Sequence, residues 1–135
     1  MNTAESIYQG ALRTQSTHVR SEETLITDAP IDNNGKGEAF SPTDLIATGL
    51  LTCMITVMGI HAAKNNFNLG KVTGSVKKIM VDLPRRIGQL NVEITFEHDS
   101  LSPAQRKILE NIAIHCPVAK SLHPDIIQNT TFIYH

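Results

Sequence analysis

The sequence has 135 residues, of which 41% are hydrophobic and 19% are charged, with a net charge of −1. These values are ordinary for a folded chain and predict a single domain over residues 1–135. Lys and Arg residues are scattered, which argues against a nucleic-acid partner because such proteins concentrate positive charge on one surface. Residues Met1 to Glu5 contain no basic segment followed by an apolar run, so we expect no secretory signal and a cytoplasmic location.

The N-terminal part of the chain is typical of short strands separated by polar turns. Residues from Ser6 to about Asp28 alternate in polarity, and residues 24–27 form a second β-prone run. The polar segment 32–37 contains two glycines and predicts a loop. This loop leads into the first helix.

A strong helix start occurs at Ser41, with Pro42 in the first helical position and Asp44 in a capping-box position. The following segment, 45–63, contains no charged residue and is long enough for a membrane span. Neither an aromatic belt nor a basic flank supports insertion into a bilayer. We therefore predict no membrane partner, and a helix that is apolar on all sides, ends near Asn65 and needs a second subunit to cover it.

The second half of the sequence predicts strands around a second helix. Residues 71–83 are rich in β-formers and residues 90–97 alternate between apolar and polar, with a predicted hairpin turn at 84–88. Residues 130–134 predict a final strand. The fold class is therefore α+β.

The second helix is predicted to begin at Ser102, again with a cap, a proline and a capping-box residue. Ile108, Ile112 and Cys116 follow at intervals of four, with Leu109 and Ala113 alongside, and predict a buried stripe that ends at the cysteine. Pro117 ends the helix or starts a new one.

The two cysteines, Cys53 and Cys116, are either buried core residues or working thiols. Cys53 lies in the middle of its predicted helix, too far from the N-terminus to gain much from the helix dipole, so only a nearby charge would favour its thiolate. Cys116 lies near the start of a short predicted helix, 118–122, where free backbone N–H groups favour the thiolate. Their separation in sequence does not show whether they meet.

The six histidines do not form a recognised metal-binding pattern. His115, Cys116 and His123 are close in sequence, but their spacing is not one that zinc sites use. His98 is predicted at a strand edge and His135 is the last residue. We expect no metal and no cofactor.

Two segments resemble the OsmC/Ohr family of thiol peroxidases. Residues 40–45, followed by Cys53, resemble the helix start and peroxidatic cysteine of that family. Residues 115–122 are similar to its resolving-cysteine motif, and Asp28-Ala29-Pro30 with Gly37-Glu38 resembles a loop of the branch close to OsmC. The resemblance implies an OsmC-like fold in which β-sheets pack around long central helices of an intertwined homodimer.

The resemblance also implies an activity and a set of roles. Cys53 would attack an organic hydroperoxide, Cys116 would resolve the product as a disulfide, and a dithiol such as dihydrolipoamide would reduce it. Arg13 would activate the Cys53 thiol, with Arg20 or His18 as alternatives for that position. Thr43 stands where peroxidatic members carry a Glu, which places the activity in question.

This departure leaves a second hypothesis open. The chain could be a non-catalytic dimeric module that keeps the fold and binds a small apolar ligand between its subunits. The missing Glu favours this alternative, and the presence of both cysteines in their motifs argues against it.

Overall fold

A computed structural model describes residues 1–97 and 100–135. The chain divides into two compact units, Met1–Ile46 and Ala47–His135. The division of the whole chain into one domain stays a prediction. The prediction that His98 lies at a strand edge falls outside the described residues.

The first unit is built on a three-stranded antiparallel sheet in the order β1-β2-β3. Cross-strand partners such as Ile7, Gln15 and Ile26 share one face of this sheet. The segment predicted as a loop at 32–37 follows it, and its first two residues belong to a short 3₁₀ turn, Ile31–Asn33. The strands are β1 Ala4–Gly10, β2 Arg13–His18 and β3 Thr24–Asp28.

The long helix α1, Pro42–Lys64, begins and ends as the sequence predicts. The backbone N–H of Asp44 donates to Ser41 Oγ at 3.1 Å, and the backbone N–H of Ser41 donates to Asp44 Oδ2 at 2.9 Å. This reciprocal pair is a capping box, which satisfies backbone donors that the first turn leaves without partners. Beyond the helix, Asn66 adopts the left-handed conformation with φ 57°.

The second unit contains a sheet in the order β4-β5-β6. Strands β4 and β5 are antiparallel, whereas β5 and β6 are parallel. A parallel pair needs a crossover, and here the crossover contains helices α2 and α3. The elements are β4 Lys71–Val81, β5 Arg86–Glu97, α2 Pro103–Ile114, α3 Pro117–Ser121 and β6 Ile127–Tyr134.

Two predictions for this unit need correction. The hairpin turn between β4 and β5 covers residues 82–85, so the turn predicted at 84–88 is placed too late. Ile87 and Gly88 belong to β5, where buried Ile87 continues the apolar alternation toward the turn. In α2 the buried stripe consists of Leu109 and Ala113, while Ile108 is 48% exposed. The buried stripe is therefore shifted around the helix by about one residue from the predicted one, because the side of α2 that carries Leu109 faces the sheet.

Within the second unit, the core lies between α1, the crossover helices and one face of the sheet. Leu50, Met54 and Met58 of α1 are fully buried, one helical turn apart. A Cβ atom at Gly74 in β4 would lie 2.7 Å from Leu51 Cδ1, so the missing side chain lets the helix approach the strand closely. The buried apolar residues of β5 are Ile87, Leu90, Val92, Ile94 and Phe96.

Helix α1 is long and apolar enough to cross a membrane by length and composition alone. Its most apolar window is 28% buried within the chain. The buried part is the Leu50, Met54 and Met58 stripe, whereas Ile60 is 48% exposed. Its opposite side is therefore apolar and only partly covered by the chain.

Candidate functional site

The second unit brings Cys53 and Cys116 together. Cys53 lies in the middle of α1, beside the buried stripe, and packs against the core that contains Cys116. The Cys53 side chain lies close enough to Cys116 to affect its thiol, and both thiols are free. Cys116 is 1% exposed, whereas Cys53 is half-buried. The packing of α1 and the crossover onto one core thus creates a thiol pair with one accessible member.

The end of α2 and the start of α3 position Cys116. Cys116 is the N-cap residue of α3, and its Sγ accepts a hydrogen bond from the backbone N–H of Ala119 at 3.4 Å. Pro117 occupies the first helical position, for which its fixed φ angle is suited. The amide of Gln128 in β6 donates to the carbonyl of Ala119 at 3.2 Å and ties α3 to the sheet. The position of Cys116 is therefore fixed by its place between α2 and α3 and by the bond that ties α3 to the sheet.

Burial raises the pKa of the Cys116 thiol. The hydrogen bond from Ala119 acts in the opposite direction, and the Cys53 side chain adds to the increase. The prediction that the helix start favours a Cys116 thiolate is therefore wrong in its net effect, because loss of solvent outweighs the N–H donor. Cys116 is held as a neutral thiol at neutral pH.

Arg13 is held by two carboxylates of the first unit. Its Nε and one terminal nitrogen donate to both oxygens of Asp28, at 2.7 and 2.8 Å, and that terminal nitrogen also lies 3.4 Å from Glu38. Asp28 is 1% exposed and also accepts the backbone N–H of Glu38 at 3.1 Å. Such a two-point contact fixes the guanidinium plane as well as its position.

The sequence analysis did not identify Asp28 and Glu38 as the partners of Arg13. Asp28 could have been found from strand register, since Arg13 and Asp28 are opposite residues of the β2–β3 hairpin. The two alternatives to Arg13 are placed differently. His18 contacts Ser21 Oγ through Nδ1 at 2.6 Å, and Arg20 lies in the turn after β2.

Thr43, the residue that the resemblance sets against the family Glu, belongs to the start of α1. The Thr43 hydroxyl lies 3.2 Å from Ser41 Oγ, so it joins the polar cluster that caps the helix. The carboxylate partners of Arg13 are Asp28 and Glu38.

The histidines around Cys116 have partners of their own. His115 Nδ1 contacts the Asn111 carbonyl at 2.7 Å, and His123 Nδ1 accepts the backbone N–H of Asp125 at 3.0 Å. Within residues 1–97 and 100–135, no group of three or more His, Cys, Asp or Glu side chains is arranged to hold a metal ion.

The Arg13–Asp28 pair predicts a specific dependence of stability on pH. Hydrogen bonding from Arg13 lowers the pKa of Asp28, against the opposing effect of burial. A carboxyl group with a lowered folded-state pKa stabilises the fold above its unfolded pKa of about 3.9 and loses that contribution as pH falls through the folded value. We expect Asp28→Asn to lower the urea midpoint of unfolding at pH 7. The difference in midpoint between this variant and wild type should narrow below about pH 4.

Glu5→Gln is the matched control for this experiment, because Glu5 is an exposed carboxylate on the same sheet. It should leave the urea midpoint nearly unchanged across the pH range. A difference between wild type and Asp28→Asn that stays constant down to pH 2 would contradict the ion-pair explanation.

Comparisons with known proteins identify the family of this fold. The family described as OsmC-like protein matches residues 35–130. None of the curated proteins matches the chain. A Psychrobacter arcticus 273-4 protein, named for osmotic stress induction and a detoxification response, shares 48% identity over 100% of this chain and 96% of its own, with a TM-score of 0.92.

More distant solved structures share the fold. The organic hydroperoxide resistance protein OsmC of Legionella pneumophila is 18% identical, with coverage of 96% of this chain and 94% of its own and a TM-score of 0.73. An organic hydroperoxide resistance protein of Elizabethkingia anophelis is 14% identical, with coverage of 98% and 94% and a TM-score of 0.73. The chain belongs to the OsmC/Ohr family and has its α+β fold.

Proposed function

We propose that this protein is a two-cysteine thiol peroxidase that reduces organic hydroperoxides in the cytoplasm. The observation that carries the proposal is the contact between the Cys53 and Cys116 side chains in one core. Cysteines that only fill core space can lie anywhere in the core. Two free thiols that lie close together can be oxidised to a disulfide, which releases two electrons. Membership of a family that includes organic hydroperoxide resistance proteins supports the same activity.

Unequal burial supports different roles for the two thiols. Cys53, the more accessible thiol, attacks as the thiolate on the terminal peroxide oxygen. An S–O bond forms, the O–O bond breaks, and the alkoxide leaves and takes a proton to become the alcohol. Cys53 is then a sulfenic acid and has lost two electrons to the peroxide.

The buried Cys116 completes the cycle. Its sulfur attacks the Cys53 sulfur, so an S–S bond forms, the S–O bond breaks, and the hydroxyl leaves as water with the Cys116 proton. The neutral state in which burial holds Cys116 supplies that proton. A dithiol such as dihydrolipoamide then reduces the disulfide by thiol exchange and returns two electrons and two protons to the pair.

The proposal predicts different failures for the two cysteine variants. With dihydrolipoamide as reductant and cumene hydroperoxide as substrate, Cys53→Ser should abolish peroxide consumption. Cys116→Ser should still react once, but should accumulate Cys53 sulfinic acid under excess peroxide because no thiol resolves the sulfenic acid. Steady-state peroxide assays and mass spectrometry of the treated proteins measure both effects.

Wild-type protein treated with one equivalent of peroxide is the reference. It should lose two hydrogens in a peptide that joins Cys53 to Cys116, and a dithiol should restore both. Recovery of both thiols unmodified would leave Cys53 as a core residue and overturn the proposed activity.

We also propose that Arg13 increases the reactivity of Cys53. Arg13→Ala should slow alkylation of Cys53 much more at pH 7 than at about pH 9, where a thiol ionises without help from a cation. Arg20→Ala is the matched control, and it should have little effect at either pH. Equal slowing by Arg13→Ala at both values would contradict an electrostatic role and assign the loss to the broken contacts with Asp28.

We propose in addition that the functional unit is a homodimer. The partly covered apolar side of α1 and the exposed Ile7 and Ile26 of the first sheet need a partner surface. An obligate interface above about 2,000 Å² in total is expected. Light scattering should give twice the chain mass at micromolar concentration, and a stable monomer there would contradict the proposal.

One observation favours the second candidate function, the binding of a small apolar ligand. A mostly apolar cavity of about 470 Å³ opens beside the C-terminal part of α1 in the second unit. The lining residues are Gly59, Ala62, Ala63, Phe67, Asn68 and Leu69. Ligand binding by a protein that leaves cumene hydroperoxide intact would favour this function over the peroxidase.

A further inference from the structure

Gln128 is a polar side chain on the core face of β6. It is the register partner of Leu90 in β5, which is fully buried, and such partners point to the same side of the sheet. The amide of Gln128 is partly buried between the sheet and α3. A polar group taken out of water costs free energy unless a hydrogen bond replaces its hydration. Packing alone therefore does not explain a glutamine at this position.

The amide of Gln128 reaches the residue that holds the Cys116 sulfur. It donates to the Ala119 carbonyl at 3.2 Å, and the Ala119 backbone N–H donates to Cys116 Sγ at 3.4 Å. Two hydrogen bonds through one residue thus connect the sheet to the sulfur.

Helix α3 needs such a bond to fix its orientation. It has five residues, Pro117–Ser121, and none of them is fully buried. A helix this short is unstable by itself, because nucleation fixes several residues for one hydrogen bond. Val118 and Ala119 pack against the core, but hydrophobic contact is non-directional and allows the helix to turn on the surface that it covers. A hydrogen bond depends on direction, so the bond from Gln128 restricts that turning.

The same face of β6 also contacts α1 beside Cys53. Thr130 lies two residues after Gln128, and its hydroxyl contacts Met54 Sδ at 3.9 Å. Met54 follows Cys53 in the sequence and is buried. One strand therefore supports the segments that carry both thiols, and Gln128 provides that support on the side of Cys116.

We propose that Gln128 is a positioning residue for Cys116, which it holds in the orientation that brings the sulfur to Cys53. This inference rests on the proposed peroxidase function and assigns to Gln128 an influence on the fate of oxidised Cys53. Attack by Cys116 on the Cys53 sulfenic acid gives a disulfide and water, whereas a second hydroperoxide gives a sulfinic acid and an alcohol. Without the Gln128 amide, Cys116 is in the reactive orientation for less of the time, so the second reaction gains on the first.

The test uses two variants of Gln128 and a matched control at the next residue. Gln128→Met keeps the length of the side chain and removes its donor. Gln128→Glu keeps the shape, but an ionised carboxylate cannot donate and would face the Ala119 carbonyl. Asn129→Ala is the control, because it removes an exposed amide that donates to Asn91 Oδ1 at 3.2 Å on the same strand. All proteins are compared well below their unfolding temperatures, so that global stability does not contribute.

The first measurement needs no peroxide. Each protein is equilibrated with mixtures of reduced and oxidised dithiothreitol, and the fraction of Cys53–Cys116 disulfide gives the effective concentration of one thiol at the other. Gln128→Met should lower this concentration by about twofold to fivefold, up to the factor that one net hydrogen bond supplies. Gln128→Glu should lower it at least as much, and Asn129→Ala should leave it unchanged. An unchanged equilibrium in both Gln128 variants would overturn the positioning role.

The second measurement follows Cys53 during reaction with cumene hydroperoxide. Gln128→Met should form the sulfenic acid at the wild-type rate, since the substitution leaves Cys53 and its helix as they are. The peroxide concentration that converts half of Cys53 to sulfinic acid, read by mass spectrometry, should fall by about twofold to fivefold. A slower first step with an unchanged sulfinic fraction would make the effect of Gln128 merely structural and overturn the proposal. A shifted dithiothreitol equilibrium with no peroxide consumption by wild type would keep the positioning role and reject the peroxidase.

Discussion

The structure of the second unit depends on the burial of one stripe of α1 against the sheet. Helix α1 has no polar side, so amphipathicity does not determine which face is buried. The packing of its side chains against the sheet determines it. Leu50, Met54 and Met58 fill the core, and the bare backbone at Gly74 allows the helix to come close to β4. Cys53 stands beside that stripe, and Cys116 enters the same core from the crossover. The contact between the thiols therefore follows from hydrophobic packing, which explains why no short motif contains both cysteines.

Local signals in the sequence predicted local structure well. Both helix starts were found because a capping box involves residues three apart, and the structure forms both boxes, at Ser41 and at Ser102. The α+β class followed from the change between helical and strand periodicity. Features that depend on distant residues were not predicted: the parallel pairing of β6 with β5, and the neutral state of Cys116. In that last case the sequence showed a nearby N–H donor but could not show the loss of solvent that outweighs it.

The Arg13 cluster holds one guanidinium between two carboxylates of the first unit. Arg13 is held by Asp28 and approached by Glu38, whereas Thr43 belongs to the polar cluster that caps α1. The ion pair with Asp28 is shielded from solvent on its acidic side, since Asp28 is buried. Two carboxylates also neutralise much of the field of one guanidinium, which weakens its effect on any anion farther away. A fixed arginine is thus better suited to orient a nearby group than to attract a distant one.

The parallel β5–β6 pair has a consequence for the synthesis of the protein. Strand β6 follows the crossover in the sequence, and Gln128 of β6 fixes α3 through the carbonyl of Ala119. A ribosome makes the chain from its N-terminus at about 5–20 residues per second, so α1 and Cys53 emerge several seconds before β6 can pair. During that interval Cys53 is without its thiol partner. In newly made chains, Cys53 and Cys116 are therefore separate until the crossover and β6 have folded onto the core.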